Sequence, residues 1–132
     1  MRILQMMGGG DVGGAKTHIM TLIQALRERN EVMLISFRDG PFPREAQKNG
    51  INVRVIASFN PVYCRNEVRK IIAEFEPDVI HCHGGKANLV GAMLRGRSCH
   101  IPVLTTVHSD YRYDYLGNPL KQWTNGLANT CL

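Results

Sequence analysis

Long apolar runs are missing from this sequence. No stretch approaches the ~18 residues that a membrane-spanning helix needs. The opening MRILQMM is too short for the apolar centre of a secretion signal before Gly8, Gly9 and Gly10 interrupt it. The expected location is therefore cytoplasmic, at most peripheral to the inner face of a membrane. Cysteines are few and scattered, at Cys64, Cys82, Cys99 and Cys131, with no CxxC pair and no histidine at zinc spacing. That excludes the common structural metal sites and suits reduced thiols. Aromatic residues make up 7% and do not interleave with basic ones, and the net charge of +5 is spread without a block of like charges. Nucleic-acid binding is not expected from such a pattern. The scattered excess reads as solvated helix faces; if it meets a partner, phosphate groups or an anionic membrane surface are the natural candidates.

What remains, 132 residues with 44% hydrophobic and 20% charged content, is the size and balance of one soluble domain. Apolar runs alternate with helical patterns along it. Arg2 to Met7, Val32 to Phe37, Ile51 to Ile56, Asp78 to Cys82 and Ile101 to Val107 read as strands. Between them, Ile19, Leu22, Ile23 and Leu26 fall at i, i+3, i+4, i+7, one face of a helix that follows Gly13-Gly14. A short helix is expected over Glu45 to Lys48, with Asp39-Gly40-Pro41 read as a turn. A longer one starts at Pro61, presents Val68, Ile71, Ile72 and Phe75, and is stopped by Glu76-Pro77. Gly84-Gly85 opens a last helix with Ala87, Val90, Gly91 and Leu94 inward. Near-continuous apolar strands alternating with helices predict an α/β fold, a doubly wound, mainly parallel, Rossmann-like sheet over residues 1–110. Residues 111–132 carry Tyr111, Tyr113, Tyr115 and Trp123 without strand pattern, and read as a linker or the start of a further helix that ends without a stop signal.

In an open parallel sheet, ligands bind beyond the carboxyl ends of the strands. Three glycine- or histidine-bearing loops should converge there: GGGDVGGAKTH after the first strand, HGGK after the fourth, HSD after the fifth. The first loop reads in more than one way. Gly8, Gly10 and Gly13 fit GxGxxG, which would make Asp39 the candidate ribose partner. Gly10, Lys16 and Thr17 approach the Walker pattern, but Ala15 stands where that pattern needs glycine. A glycine turn without ligand also fits. In every reading Gly13 and Gly14 precede a helix whose N-terminal amides and dipole favour an anion, and Lys16 would add a cation or lie solvated. His81 and His83 lie two apart in a strand and so share a face. His81 is expected to be a hydrogen-bonded core residue. His83, beside Gly84, is expected to reach a ligand. His108 stands where strand-end polar residues act, with Asp110 either orienting it or capping the next turn.

Taken together, MRIL, GGG, GGAKTHI, ALRERNEVMLIS, GINVRV, FEPDVIHCHGGKA and IPVLTTVHSDYR resemble the N-terminal domain of the family 4 retaining glycosyltransferases of the GT-B fold, from Met1 to about Arg112. The resemblance implies two Rossmann-like domains facing across a cleft, and transfer of a sugar from a nucleotide diphosphate donor to an acceptor glycan or lipid. It also implies no metal or cofactor, the nucleotide sugar being a substrate. Residues matching Gly13 and Gly14 would approach the diphosphate or acceptor, and the residue matching His108 the donor sugar. The donor would be held mainly by a C-terminal domain carrying paired glutamates. No such region precedes Leu132, so the chain is expected to be the acceptor half and inactive alone. A self-contained nucleotide-binding module and a non-catalytic adaptor or remnant are the competing expectations.

Overall fold

The computed structural model describes residues 1–8, 14–95 and 100–106. Five strands run in the order β3-β2-β1-β4-β5, every neighbouring pair parallel. They are β1 (Arg2–Met7), β2 (Glu31–Ser36), β3 (Asn52–Val55), β4 (Val79–His83) and β5 (Val103–Thr106). The helices between them are α1 (Gly14–Leu26), α2 (Pro41–Lys48), α3 (Pro61–Phe75) and α4 (Gly85–Leu94). This is the expected doubly wound α/β sheet. None of the described helices is long and apolar enough to cross a membrane. Residues 111–132, expected to be a linker or the start of a further helix, and the loop holding Gly10 and Gly13 lie outside the described residues.

The sheet has an apolar layer on each face, which explains why its middle strands are apolar throughout. On one face Ile3 and Met7 of β1 and Val32 and Leu34 of β2 meet Ile19, Met20 and Ile23 of α1 and Phe42 and Ala46 of α2. On the other, Leu4, Met6, Met33, Ile35, Ile80 and Cys82 meet Cys64, Val68 and Phe75 of α3 and Ala87, Val90 and Leu94 of α4. Burial of each such side chain contributes about 1.5–3 kcal/mol relative to exposure.

Three local departures from the sequence pattern have simple causes. Helix α1 buries Met20 where the spacing favoured Leu22, which with Leu26 is only half-buried. Helix α2 begins at Pro41, earlier than expected, because a proline with fixed φ and no N–H suits a first helical turn as well as it suits a loop; Phe42 and Pro43 are then buried. Strand β4 includes His83 because its ladder with β1 continues to the pair Met7 and His83. Helix α3 starts at Pro61 and ends before Glu76 (φ 46°), as expected, and the structure adds a cap: the Asn60 side chain accepts from the amides of Val62 (2.9 Å) and Tyr63 (3.2 Å).

Gly91 sets how closely α4 lies on the sheet. A Cβ there would stand 2.6 Å from Cys82 Sγ and 3.3 Å from Cγ1 of Val103. Gly91→Val should therefore lower stability by about 1–3 kcal/mol, read as a lower urea midpoint, with part of the loss recovered in the Cys82→Ala background. Burial also pushes the Cys82 thiol up from 9.0 to about 12. The unfolded chain then releases this proton near pH 9 while the folded chain keeps it, so stability falls as pH rises between 9.0 and about 12. Urea titrations across that window should show a slope on the order of 1 kcal/mol per pH unit that is absent from Cys82→Ala.

Candidate functional site

The sheet order places the topological switch between β1 and β4. From β1 the chain leaves through α1 on one face towards β2; from β4 it leaves through α4 on the opposite face towards β5. Their carboxyl ends therefore border a crevice. Gly14, the first residue of α1, stands at this edge, with Lys16 in the same first turn. His83 ends β4 and Gly84 and Gly85 follow it. The strand ends are fastened together: the Gly8 amide donates to the His83 carbonyl at 3.0 Å, and the Phe37 amide to the Met7 carbonyl at 3.0 Å. A Cβ on Gly8 would meet the Lys86 backbone nitrogen at 3.3 Å, so the exit of β1 lies directly against the start of α4. Gly84 adopts φ +81°, a left-handed value that strains other residues. Neither α1 nor α4 carries an acidic residue in its first turn, and no side chain caps α4. The first amides of both helices face the crevice end of the sheet, where an anion complements them.

Histidines gather beside these helix ends. His81 and His83 do share a face, with ring centroids 4.2 Å apart, and His18 of α1 approaches His83 edge-on at 6.4 Å. The two strand histidines exchange the surroundings that the sequence suggested. His83 is the buried one, at 2% exposure, with Nε2 2.7 Å from Oε1 of Gln5. His81 is half-buried, with Nε2 2.7 Å from the Thr106 hydroxyl on β5. The cause is position: β1 and β5 flank β4, and β1 offers Gln5 to His83 while β5 offers Thr106 to His81. Gln5 is itself fully buried, and its amide nitrogen has no hydrogen-bond partner among the described residues. An unmet buried donor costs about 1–3 kcal/mol and marks a place where a ligand or water oxygen would be welcome. Among the described residues, no group of three or more histidine, cysteine, aspartate or glutamate side chains is placed to hold a metal.

Lys16 does not stand free in the crevice. Its ammonium meets Glu45 of α2 at 2.5 Å, so a phosphate would compete with a carboxylate for it. Asp39, the candidate ribose partner, is likewise engaged, by Arg44 at 3.2 Å. Gly13, His108 and Asp110 lie outside the described residues; β5 runs to Thr106, the register partner of His83. Gln5, His18 and Lys86 were not singled out by sequence reasoning. The HGGK loop pointed towards Lys86, but Gln5 sits inside an apolar run and gives no outward sign until its partner across the sheet is known.

Comparison with known proteins gives a consistent picture. A family model described as Glycosyltransferase Family 4 matches residues 12–131. No curated protein matches the sequence. Among solved structures, Anabaena Alr3699/HepE in complex with UDP superposes with TM-score 0.73 at 22% identity, covering 97% of this chain and 35% of that one. UDP-GlcNAc 2-epimerase from Neisseria meningitidis, bound to UDP-GlcNAc, gives 0.66 at 13% identity, covering 99% and 39%. MurG from Acinetobacter baumannii gives 0.63 at 16%, covering 98% and 39%. At these identities the likeness is one of fold, and this chain spans little more than a third of each neighbour's length.

The 2.7 Å contact between Gln5 and His83 should register in a double-mutant cycle. Gln5→Leu and His83→Leu should each lower stability by about 1–3 kcal/mol. The double variant should lose less than their sum, with a coupling on the order of 1 kcal/mol. Additive losses in urea unfolding would show that the pair contributes nothing.

Proposed function

The chain belongs to glycosyltransferase family 4, and from that premise we propose that it is the N-terminal, acceptor-side half of an enzyme moving a sugar from a nucleotide diphosphate donor to an acceptor hydroxyl with retention. The observation that carries the chemistry is the pairing of two helix N-termini, α1 and α4, at the β1–β4 crevice with no acidic residue in either first turn. When the bond between sugar and diphosphate breaks, negative charge builds on the leaving phosphate oxygen. Fixed amides and helix dipoles stabilise that charge without reorganising, and they do so without a metal ion. The Gln5 amide nitrogen adds an unmet donor near the same histidines.

In this reading Gly13 and Gly14 close on the diphosphate or acceptor, and His83 with Gly84 forms the wall opposite. His108 touches the donor sugar, with Asp110 orienting it. Lys16 acts through its exchange between Glu45 and phosphate. The donor's nucleotide is held mainly by a second Rossmann-like domain, in keeping with the small share of each structural neighbour that this chain covers. Two of those neighbours hold UDP or UDP-GlcNAc, which makes UDP-sugars the first donors to try. The acceptor is a glycan or lipid of carbohydrate or cell-envelope synthesis, met in the cytoplasm or at the inner face of a membrane. A self-contained nucleotide-binding module has less support, because the lysine it would rely on is already paired with a carboxylate.

The test is release of UDP from UDP-sugars by the 132-residue chain alone and by a longer polypeptide in which a donor domain follows it. The chain alone should show no turnover above background. The longer polypeptide should turn over, and His83→Ala, checked for folding by circular dichroism, should lower its rate about 100-fold. Turnover by the chain alone would overturn the half-enzyme assignment, and indifference to His83→Ala would remove the crevice from the reaction.

A further inference from the structure

A second concavity of about 450 Å³ opens on the same edge of the sheet, on the β2–β3 side of Gly8. Its walls are Phe37 and Arg38 beyond β2, Ser58 and Phe59 beyond β3, and Lys86 in the first turn of α4. Three of its features are unusual together. Phe59 is fully exposed, at 103% of a free side chain, although a phenylalanine loses by standing in water. The Lys86 ammonium lies 5.4 Å from the Phe37 ring and 5.8 Å from the Phe59 ring. It donates to the Phe37 and Ser58 carbonyls and pairs with no carboxylate among the described residues. Among the described residues the exposed Arg38 guanidinium also has no hydrogen-bond or ion-pair partner, and Asp39, the carboxylate they bring to the rim, is taken by Arg44. Among the described residues the cavity is therefore lined by aromatic rings and by two basic residues.

We propose that this cavity is the acceptor subsite and takes a carbohydrate ring bearing an anionic substituent, stacked on Phe59 with its charge against Arg38. The proposal rests on the transferase reading above and adds the chemical class of the acceptor. A pyranose ring presents a face of C–H bonds that lies well on the negative face of an aromatic ring. A volume of this size suits one sugar residue and its substituent rather than an extended chain. Lys86, held by carbonyls, supplies field to the cavity, while Arg38 is free to form a forked, charge-assisted pair with a carboxylate or phosphate. A neutral sugar would use the ring and leave both cations unmatched. A bare anion would use the cations and leave Phe59 in water.

The test is an NMR titration of the 132-residue chain with glucuronic acid, glucose 1-phosphate, methyl glucoside and inorganic phosphate. The two anionic sugars should bind with dissociation constants on the order of 1 mM. Their shifts should centre on Phe37, Arg38, Phe59 and Lys86. Methyl glucoside and inorganic phosphate should bind at least about 10-fold more weakly. The relative strength of the two anionic sugars tells a carboxylate-bearing acceptor from a phosphate-bearing one. Phe59→Ala should weaken both about 10-fold, and Arg38→Gln should abolish the preference for charged over neutral sugar. Both sites are exposed, so the variants should stay folded. The proposal falls if methyl glucoside or phosphate alone binds as tightly, if the shifts lie elsewhere, or if Phe59→Ala has no effect. Turnover by the polypeptide with a donor domain separates the two claims. Transfer that favours neutral acceptors sinks this inference and leaves the transferase reading. An absence of turnover with every acceptor sinks that reading, while the titration still decides what the cavity binds.

Discussion

Strand β1 is the constraint on which the site depends. It is laddered on both edges, to β2 and to β4, and buried on both faces, so it cannot shift or slide without breaking two registers and two apolar layers. A one-residue slip would turn Leu4 and Met6 to the wrong face. Because the sheet is parallel, the same rigidity fixes where β1 and β4 end relative to each other. Because the crossovers diverge at those two strands, their ends are where a sheet of this topology opens a crevice. The crevice is thus a by-product of topology. Its chemistry comes from what the chain puts there: glycines that let backbone approach, and helix starts without acidic residues.

Much of this was legible in the sequence, for identifiable reasons. The strand at Arg2–Met7 and the run Val32 to Phe37, observed as Glu31–Ser36, are apolar stretches of strand length, and the start of α3 is written in Pro61, while its cap Asn60 was not singled out. Residues Ala87, Val90, Gly91 and Leu94 point inward as their spacing requires. Where the reading slipped, one residue had two meanings. Pro41 suits both a turn and a helix start, and tertiary burial of Phe42 decides between them. Of the site, the convergence of the Gly14 and His83 segments followed from topology alone. What did not follow is pairing across the sheet. That Gln5 meets His83, that Glu45 meets Lys16, and that Phe59 stands beside Lys86 are contacts between distant segments, and a local pattern carries no information about them.

The two histidines of β4 illustrate how register assigns roles. Alternation puts both on the α1 face, but the neighbouring strands differ: β1 offers Gln5 to one and β5 offers Thr106 to the other. The hydrogen bond that each accepts or gives at Nε2 helps to fix the setting of its ring. Orientation of the site's histidines is therefore a property of the sheet's interior. A substitution deep in β1 would be felt there before any change in the loops.

Lys86 stands at three strand exits and ties two of them with its side chain. Its backbone lies against Gly8 beyond β1, and its ammonium holds the carbonyls of Phe37 beyond β2 and Ser58 beyond β3. Loops that would otherwise each lose freedom on meeting a ligand are already held in one arrangement. Part of the entropy of ordering is thereby settled during folding, and a molecule of the kind proposed above would find these walls in place. Any chemistry that neutralised this ammonium, such as acylation, would release the β2 and β3 exits together.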